Sequence, residues 1–181
     1  LRPPFVLVGH SMGGLNIKLF AELHPSEVAG LVFVDPAHED IAKRGFELDP
    51  EAGRQYSLYL DRLHDCLTSK PSDFIPGSSL YHTCASRPPN SGRYSDAINV
   101  LERQRSTRHE HLFAWISEQA NAAYLSSDQV RAAHRDLGDI PLIVVYRQDS
   151  RNQIGAELNA DTAKMSTRGS IRVVENSSHY I

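Results

Sequence analysis

The stretch Gly-His-Ser-Met-Gly-Gly at residues 9–14 is the sequence feature that most constrains how this chain can fold. It follows the short apolar run of residues 4–8. It precedes residues 15–23, in which apolar side chains recur at helical spacing. A serine at the centre of G-x-S-x-G, between a strand and a helix, is typical of a sharp turn that exposes the serine hydroxyl.

This turn has a strained backbone, so small residues are needed around the serine. We expect Gly9 and Gly13 to supply them, and Gly14 to let the helix pack close to the sheet. The turn should lift the hydroxyl of Ser11 clear of the sheet edge. It should also direct the first N–H groups of the helix, that of Met12 first, at the position where an oxyanion would form.

At residues 9–14 the chain resembles the α/β-hydrolase superfamily, in the large group whose turn after the nucleophile strand reads GHSMGG. The resemblance implies an α/β fold with a mostly parallel sheet flanked by helices, whose core is formed by residues 1–37 and 140–181. The family's first four strands and its loop for a second oxyanion donor have no counterpart here. We therefore expect the segment on its own to be a fragment without activity.

The apolar patterns agree with that core. Residues 28–34 form a nearly unbroken apolar run rich in β-branched side chains, which is typical of a parallel strand buried on both faces. Residues 140–146 and 170–175 predict two further strands, separated by a helix around 153–166.

Residues 38–139 differ from this core in composition: they are polar, are interrupted by prolines and contain no strand-like run. A hundred residues are too many for a plain loop in a compact domain. The segment therefore predicts a helical cap or lid insertion. Its expected helices are near 51–67, 93–119 and 126–136.

A serine hydroxyl needs a neighbouring base to become a nucleophile at neutral pH, usually a histidine held by a carboxylate. His179 follows the last predicted strand, so its loop should open on the same sheet edge as Ser11. It also comes last in the chain, in the order serine, acid, histidine that this fold uses. His10 lies inside the turn, and we expect it to line the substrate pocket or to pack behind Ser11.

Two aspartates can supply the acid. Asp35 ends the second strand in an Asp-Pro-Ala turn, similar to the arrangement in the pancreatic-type lipases. Asp149 follows the third strand, at the position that most α/β hydrolases use. We favour Asp35, with Asp149 as the alternative and Glu39 or Asp40 as further options.

Composition excludes several partners. The formal net charge is −3 and the isoelectric point is about 6.3, which gives no reason to expect nucleic acid as a partner. No apolar run approaches the roughly 20 residues that a membrane span needs. His109 and His111 are two residues apart, so they would lie on different sides of a helix and make a poor metal pair. Neither a metal nor an organic cofactor is predicted. The sequence gives no indication of oligomeric state.

Cys66 and Cys84 are the only cysteines, and they flank a stretch rich in proline, glycine and serine. We predict that they form a disulfide, which would favour a secreted or periplasmic protein. Free thiols would favour a cytoplasmic one.

Together these features predict a serine hydrolase that cleaves a carboxylic ester or a related acyl bond of a small molecule through an acyl-enzyme. The alternative is a receptor-like member of the fold that binds a small molecule without catalysis. An epoxide hydrolase or a dehalogenase is disfavoured, because those relatives carry an aspartate where Ser11 stands.

Overall fold

A computed structural model of the chain describes residues 2–75, 77–84, 95–106, 108–148 and 153–181. Within these ranges the fold has one four-stranded sheet and eight α-helices. The strands are β1 (Phe5–His10), β2 (Val28–Val34), β3 (Leu142–Arg147) and β4 (Gly169–Val174). The helices are α1 (Gly13–Leu23), α2 (Ile41–Leu48), α3 (Pro50–Thr68), α4 (Ser79–Cys84), α5 (Asp96–Ser106), α6 (His109–Ala122), α7 (Leu125–Ala133) and α8 (Gln153–Lys164).

The sheet is parallel throughout and has the order β1-β2-β3-β4. The predicted α/β class with a mostly parallel sheet is therefore confirmed. In β2, Leu31 and Phe33 are buried, and the strand pairs with β1 on one side and with β3 on the other. Its apolar sequence reflects this position, since a strand inside a parallel sheet meets covering elements on both faces.

Strand β1 forms one edge of the sheet among the described strands. Its side chains alternate between more and less accessible positions, and Val6 and Val8 are each 64% exposed. Two β-branched apolar side chains are therefore accessible on one face of the strand that leads to Ser11.

Helix α1 follows the Gly-rich turn and ends before Pro25. The residue before a proline disfavours helical geometry, and His24 has φ −129° and ψ 54°. The His24 N–H still donates to the Phe20 carbonyl at 2.8 Å, which closes the last turn. The helix packs against β1, β2 and α7.

The chain divides into two compact units. The sheet unit consists of residues up to Asp49 together with Ala122–Ile181, and the helical unit consists of Pro50–Asn121. Residues 38–139, the segment interpreted as an insertion, include the whole helical unit and also α2 and α7. These two helices belong to the sheet unit, where α2 packs against α8 and α7 packs against α1.

The helical unit has its own apolar core, which contains Leu63, Leu112 and Ile116. Cys66 and Cys84 lie in the same core and are joined by the predicted disulfide. The bridge links α3 to α4 across a sequence separation of 18 residues.

The helices between β2 and β3 were predicted less accurately than the strands. Residues 95–119 do not form one helix, because the Arg108 N–H donates to the Arg105 carbonyl at 3.0 Å and α6 begins after this turn. Helices α2 and α4 were not predicted, and they are the shortest of the described α-helices, with 8 and 6 residues. In the ranges given above, no helix is both long enough and apolar enough to cross a membrane.

Two glycines of the turn are required by close contacts. A Cβ atom at Gly9 would lie 2.5 Å from the carbonyl oxygen of Gly13, and one at Gly14 would lie 2.6 Å from the Cβ of Pro36. Gly14 is therefore needed by the loop after β2. A Cβ at Gly13 would meet nothing within 4 Å. The expectation that Gly13 must be small is thus wrong in steric terms, because its side-chain direction points into open space.

These contacts predict different effects of alanine at two glycines of the turn, Gly9 and Gly13. Gly9→Ala should lower the free energy of unfolding by about 1–3 kcal/mol, because its methyl group overlaps backbone atoms that cannot move independently. Gly13→Ala should stay within about 1 kcal/mol of wild type, since alanine is a better helix former than glycine. Urea unfolding of the full-length gene product compares them. Equal losses in both variants would contradict this account of the turn.

Candidate active site

Ser11 occupies the turn between β1 and α1 in a left-handed backbone conformation, with φ 53°. This conformation is uncommon for a residue with a side chain and costs energy unless neighbours fix it. The Ser11 N–H donates to the Val34 carbonyl at 3.1 Å. The Ser11 carbonyl accepts from the N–H of Gly14 at 2.9 Å and from that of Ala37 at 2.8 Å. The turn is thus bonded both to its own helix and to the end of β2.

A chain of two side-chain hydrogen bonds joins Ser11 to Asp35. The Nε2 atom of His179 lies 2.9 Å from the Oγ of Ser11, and its Nδ1 atom lies 2.6 Å from the Oδ2 of Asp35. Because a carboxylate accepts hydrogen bonds, Nδ1 carries the proton in this pair. In the neutral imidazole Nε2 is then left to accept the hydroxyl proton of Ser11. The three residues follow β1, β4 and β2, so they meet at the carboxyl edge of the sheet.

Asp35 is held in place by several groups. Its backbone is also left-handed, with φ 38°, and its N–H donates to the Val145 carbonyl at 2.7 Å. Its Oδ1 accepts from the backbone N–H of Arg147 at 3.3 Å, and the Nε of Arg147 lies 3.5 Å from Oδ2. The side chain is only 13% exposed. The carboxylate is thus oriented towards His179 in a largely water-excluded position.

The other acids considered from the sequence either bind partners other than His179 or lie outside the described residues. Glu39 accepts a hydrogen bond from the ammonium group of Lys18, and Asp40 accepts one from Arg131 at 2.9 Å. Asp149 lies outside the described residues. Among the described candidates, Asp35 is the acid that the structure brings to His179.

A group of buried charges lies beside this site and was not predicted from the sequence. Lys18 and Glu22 lie on the inner side of α1, and Lys18 donates to Glu39 at 2.5 Å. The Lys18 and Glu39 side chains are 4% and 6% exposed. The sequence did indicate these buried charges. Leu15, Lys18 and Glu22 are spaced three and four residues apart, so the two charged residues lie on the same face of α1 as an apolar one.

Glu22 is fully buried, and neither of its carboxylate oxygens has a hydrogen-bond partner in the described part of the chain. Burial raises the pKa of Glu22 to about 7, although the nearby Lys18 ammonium acts to lower it. The imidazole of His134 lies beside it, with Nδ1 3.5 Å from the Oε1 of Glu22. Glu22 is therefore a carboxyl group that holds its proton close to neutral pH.

Three adjacent side chains, His38, Glu39 and Asp40, bring potential metal-ligand atoms within 4.8 Å of one another. Glu39 and Asp40 are already paired with the cations of Lys18 and Arg131. The Nδ1 of His38 accepts the N–H of Asp40 at 3.1 Å, and burial lowers the pKa of His38. Because these acids are already neutralised by protein cations, we assign no metal to them.

A cavity of about 470 Å³ opens beside the hydrogen-bonded chain. It lies between the ends of β2 and β3 and helices α2 and α8. Its lining residues include Ser11, Asp35, Pro36, Ala37, His38, Ile41, Tyr146, Arg147, Gln148, Gly155, Ala156, Leu158, Asn159, Val173 and His179. Ser11 and His179 thus face a space large enough for a small organic molecule.

The remaining two predicted site residues flank Ser11. Met12 precedes α1 with φ −59° and ψ −26°, so it stands at the amino-terminal end of the helix. His10 is exposed and does not line the cavity. Its Nε2 atom lies 2.7 Å from the carbonyl oxygen of His179, and the two rings are 4.6 Å apart. His10 therefore contacts the histidine loop.

The chain matches a model of a known protein family. The model for the alpha/beta hydrolase fold matches residues 2–177. The chain belongs to the α/β hydrolase fold family. The predicted resemblance is thereby confirmed. A search of curated protein sequences found no match for this α/β hydrolase.

Solved structures show the same fold at low sequence identity. A mutant of a Pseudomonas aeruginosa protein provisionally named an epoxide hydrolase is 16% identical, with a TM-score of 0.62, covering 98% of this chain and 60% of that chain. A protein from Acinetobacter baumannii AYE, provisionally named a lipase, is 18% identical with a TM-score of 0.52, covering 98% and 55%. An α/β hydrolase fold protein from Burkholderia ambifaria is 14% identical with a TM-score of 0.51, covering 98% and 60%. This α/β hydrolase chain therefore spans about 60% of the length of the structures it matches.

The buried carboxyl group predicts a specific dependence of stability on pH. The folded state holds the proton of Glu22 more tightly than the unfolded chain, whose ordinary pKa is 4.5. The contribution of Glu22 to the free energy of unfolding should therefore fall as pH rises from about 4.5 to about 7 and stay low above that. Between pH 5 and pH 8, wild type should lose about 2 kcal/mol relative to Glu22→Gln.

Urea unfolding of the full-length gene product at both pH values measures this difference. Glu47→Gln, at an exposed position of the same unit, is the matched control and should follow wild type. If Glu22→Gln shows the same change between pH 5 and pH 8 as wild type, the assignment of Glu22 as the titrating group is wrong.

Proposed function

We propose that this α/β hydrolase is a serine hydrolase that cleaves a carboxylic ester or a related acyl bond. The observation that supports the proposal best is the pair of hydrogen bonds from Ser11 through His179 to Asp35, at 2.9 and 2.6 Å. A hydroxyl, an imidazole and a carboxylate in this order form the arrangement that activates serine for acyl transfer.

In the first half-reaction the Oγ of Ser11 attacks the carbonyl carbon of the substrate while Nε2 of His179 takes the hydroxyl proton. Asp35 accepts the hydrogen bond from Nδ1, keeps the ring in the required tautomer and stabilises the imidazolium that forms. The tetrahedral intermediate then collapses, the bond to the leaving alcohol breaks, and His179 gives the proton to that oxygen. Ser11 is left as an acyl ester.

In the second half-reaction water replaces the alcohol. His179 takes a proton from the water as it attacks the acyl carbon, and then returns that proton to Ser11 as the acid leaves. The backbone N–H of Met12 is proposed as one donor to the oxyanion in both intermediates, because it follows Ser11 at the amino-terminal end of α1. No step of this mechanism uses a metal or an organic cofactor.

The substrate is proposed to be a small acyl compound with an apolar portion. The cavity beside Ser11 combines aliphatic side chains such as Ile41 and Leu158 with a few polar ones, including Asn159. That combination suits an organic group held by packing and oriented by one or two hydrogen bonds. The assignment of residues 38–139 as a cap that selects the substrate remains part of this proposal.

Replacing the nucleophile tests the proposal. Ser11→Ala in the full-length gene product should lower kcat for hydrolysis of a p-nitrophenyl ester by several orders of magnitude, because the variant lacks the hydroxyl that is proposed to form the acyl-enzyme. The circular dichroism spectrum and thermal unfolding of the variant should match wild type. They serve as the control for folding.

A Ser11→Ala variant that keeps more than a tenth of the wild-type kcat would show that Ser11 is not the nucleophile. A wild-type protein without hydrolytic activity would favour the receptor-like alternative.

A further inference from the structure

The loop that carries His179 is a short segment at the end of the last strand. Strand β4 ends at Val174, and Asn176 then takes a left-handed conformation with φ 53°. The Tyr180 N–H donates to the Oγ of Ser178 at 3.2 Å, which is a bond within the loop itself. The position of His179 relative to Ser11 therefore depends on contacts from other parts of the chain.

His10 supplies one such contact from the end of β1. Its Nε2 atom lies 2.7 Å from the main-chain carbonyl oxygen of His179. A carbonyl oxygen can only accept, so Nε2 of His10 must carry a hydrogen in this contact. This holds both for the neutral tautomer protonated at Nε2 and for the imidazolium, so the bond does not depend on the charge of His10.

The ring of His10 adds a second contact. Its centroid is 4.6 Å from that of His179, and the planes are inclined by 39°. The ring of Tyr180 is 5.7 Å from His10 and 5.5 Å from His179. The His10 side chain thus contacts the main chain of His179 and the rings of His179 and Tyr180.

The position of His10 at the end of β1 connects these contacts to Ser11. His10 is the residue before Ser11, at the end of a strand paired with β2 over its whole length. A group fixed to the nucleophile strand therefore bonds directly to the backbone of the residue that must reach the nucleophile. His10 does not line the cavity, which separates this role from substrate contact.

We propose that His10 is a positioning residue, whose Nε2–H and ring hold the His179 loop so that the imidazole bridges Ser11 and Asp35. The proposal rests on the function proposed above for its kinetic consequence. Its structural content, the placement of the His179 ring, can be tested without any activity.

Two amide substitutions separate the bond from other properties of the side chain. His10→Gln can present an N–H group near the position of Nε2, whereas His10→Asn reaches only to that of Nδ1. Both are polar, and His10 is exposed, so both variants should fold. His10→Phe keeps the ring and removes the donor.

The first measurement is steady-state hydrolysis of a p-nitrophenyl ester by the full-length gene product. His10→Asn and His10→Phe should each lower kcat about 10- to 100-fold, with KM within about threefold of wild type, and His10→Gln should keep kcat within about fivefold. A kcat near wild type in both His10→Asn and His10→Phe would overturn the proposal. So would a raised KM at unchanged kcat, which is the result expected of a residue that lines the substrate pocket.

The second measurement does not need turnover. In proton NMR, the Nδ1–H of His179 bonded to Asp35 should give a resonance far downfield in wild type and in His10→Gln. It should be lost or broadened in His10→Asn and His10→Phe. If the resonance persists unchanged in all three variants, His10 does not position the ring. A wild type that shows the resonance but no Ser11-dependent hydrolysis would reject the proposed function alone and leave the positioning role decided by the variants.

Discussion

The left-handed backbone at Ser11 is the constraint on which the rest of the site depends. It can persist because its surroundings fix it from two sides, through the bonds that the Ser11 carbonyl accepts from Gly14 and Ala37. The same approach brings Pro36 so close to Gly14 that no Cβ fits between them. The turn that exposes Ser11 and the loop that carries Asp35 are therefore one packed structure, in which each part constrains the other.

A buried ion pair extends this connection. Lys18, two turns into α1, bonds to Glu39, four residues after Asp35. Buried ion pairs contribute little net stability, because desolvation offsets their attraction, but losing one partner is costly. The pair is thus better understood as fixing the acid loop against α1 than as a source of stability. Glu22, one turn further along α1, adds a second carboxyl group beside the same lysine, and burial keeps its proton in place near neutral pH.

The sequence predicted best those parts of the molecule in which local pattern and tertiary environment agree. Strand β2 has an apolar sequence and lies inside the sheet, where Leu31 and Phe33 are buried. The turn at Ser11 is specified by Gly9 and Gly14, which close contacts require. The choice of Asp35 over Asp149 had less support, since both follow predicted strands at the same edge. The structure places Asp35 within hydrogen-bond distance of His179, whereas Asp149 lies outside the described residues. Lys18 and Glu22 were missed because Glu39, the buried partner of Lys18, lies in a loop whose position no periodicity reveals. The pocket role expected for His10 rested on proximity in sequence, which does not tell which way a side chain turns at the end of a strand.

The most direct test of the central claim, that Asp35 and His179 activate Ser11, is the rate at which a fluorophosphonate probe modifies the full-length gene product. The Oγ of an activated serine attacks phosphorus and displaces fluoride, so peptide mass spectrometry should locate the adduct on Ser11. We predict that Asp35→Asn slows this labelling at least about 100-fold, because the asparagine amide cannot stabilise the imidazolium. The labelling rate of Asp149→Asn should stay within about twofold of the wild-type rate. Slow labelling of Asp149→Asn with normal labelling of Asp35→Asn, or an adduct on a residue other than Ser11, would contradict it.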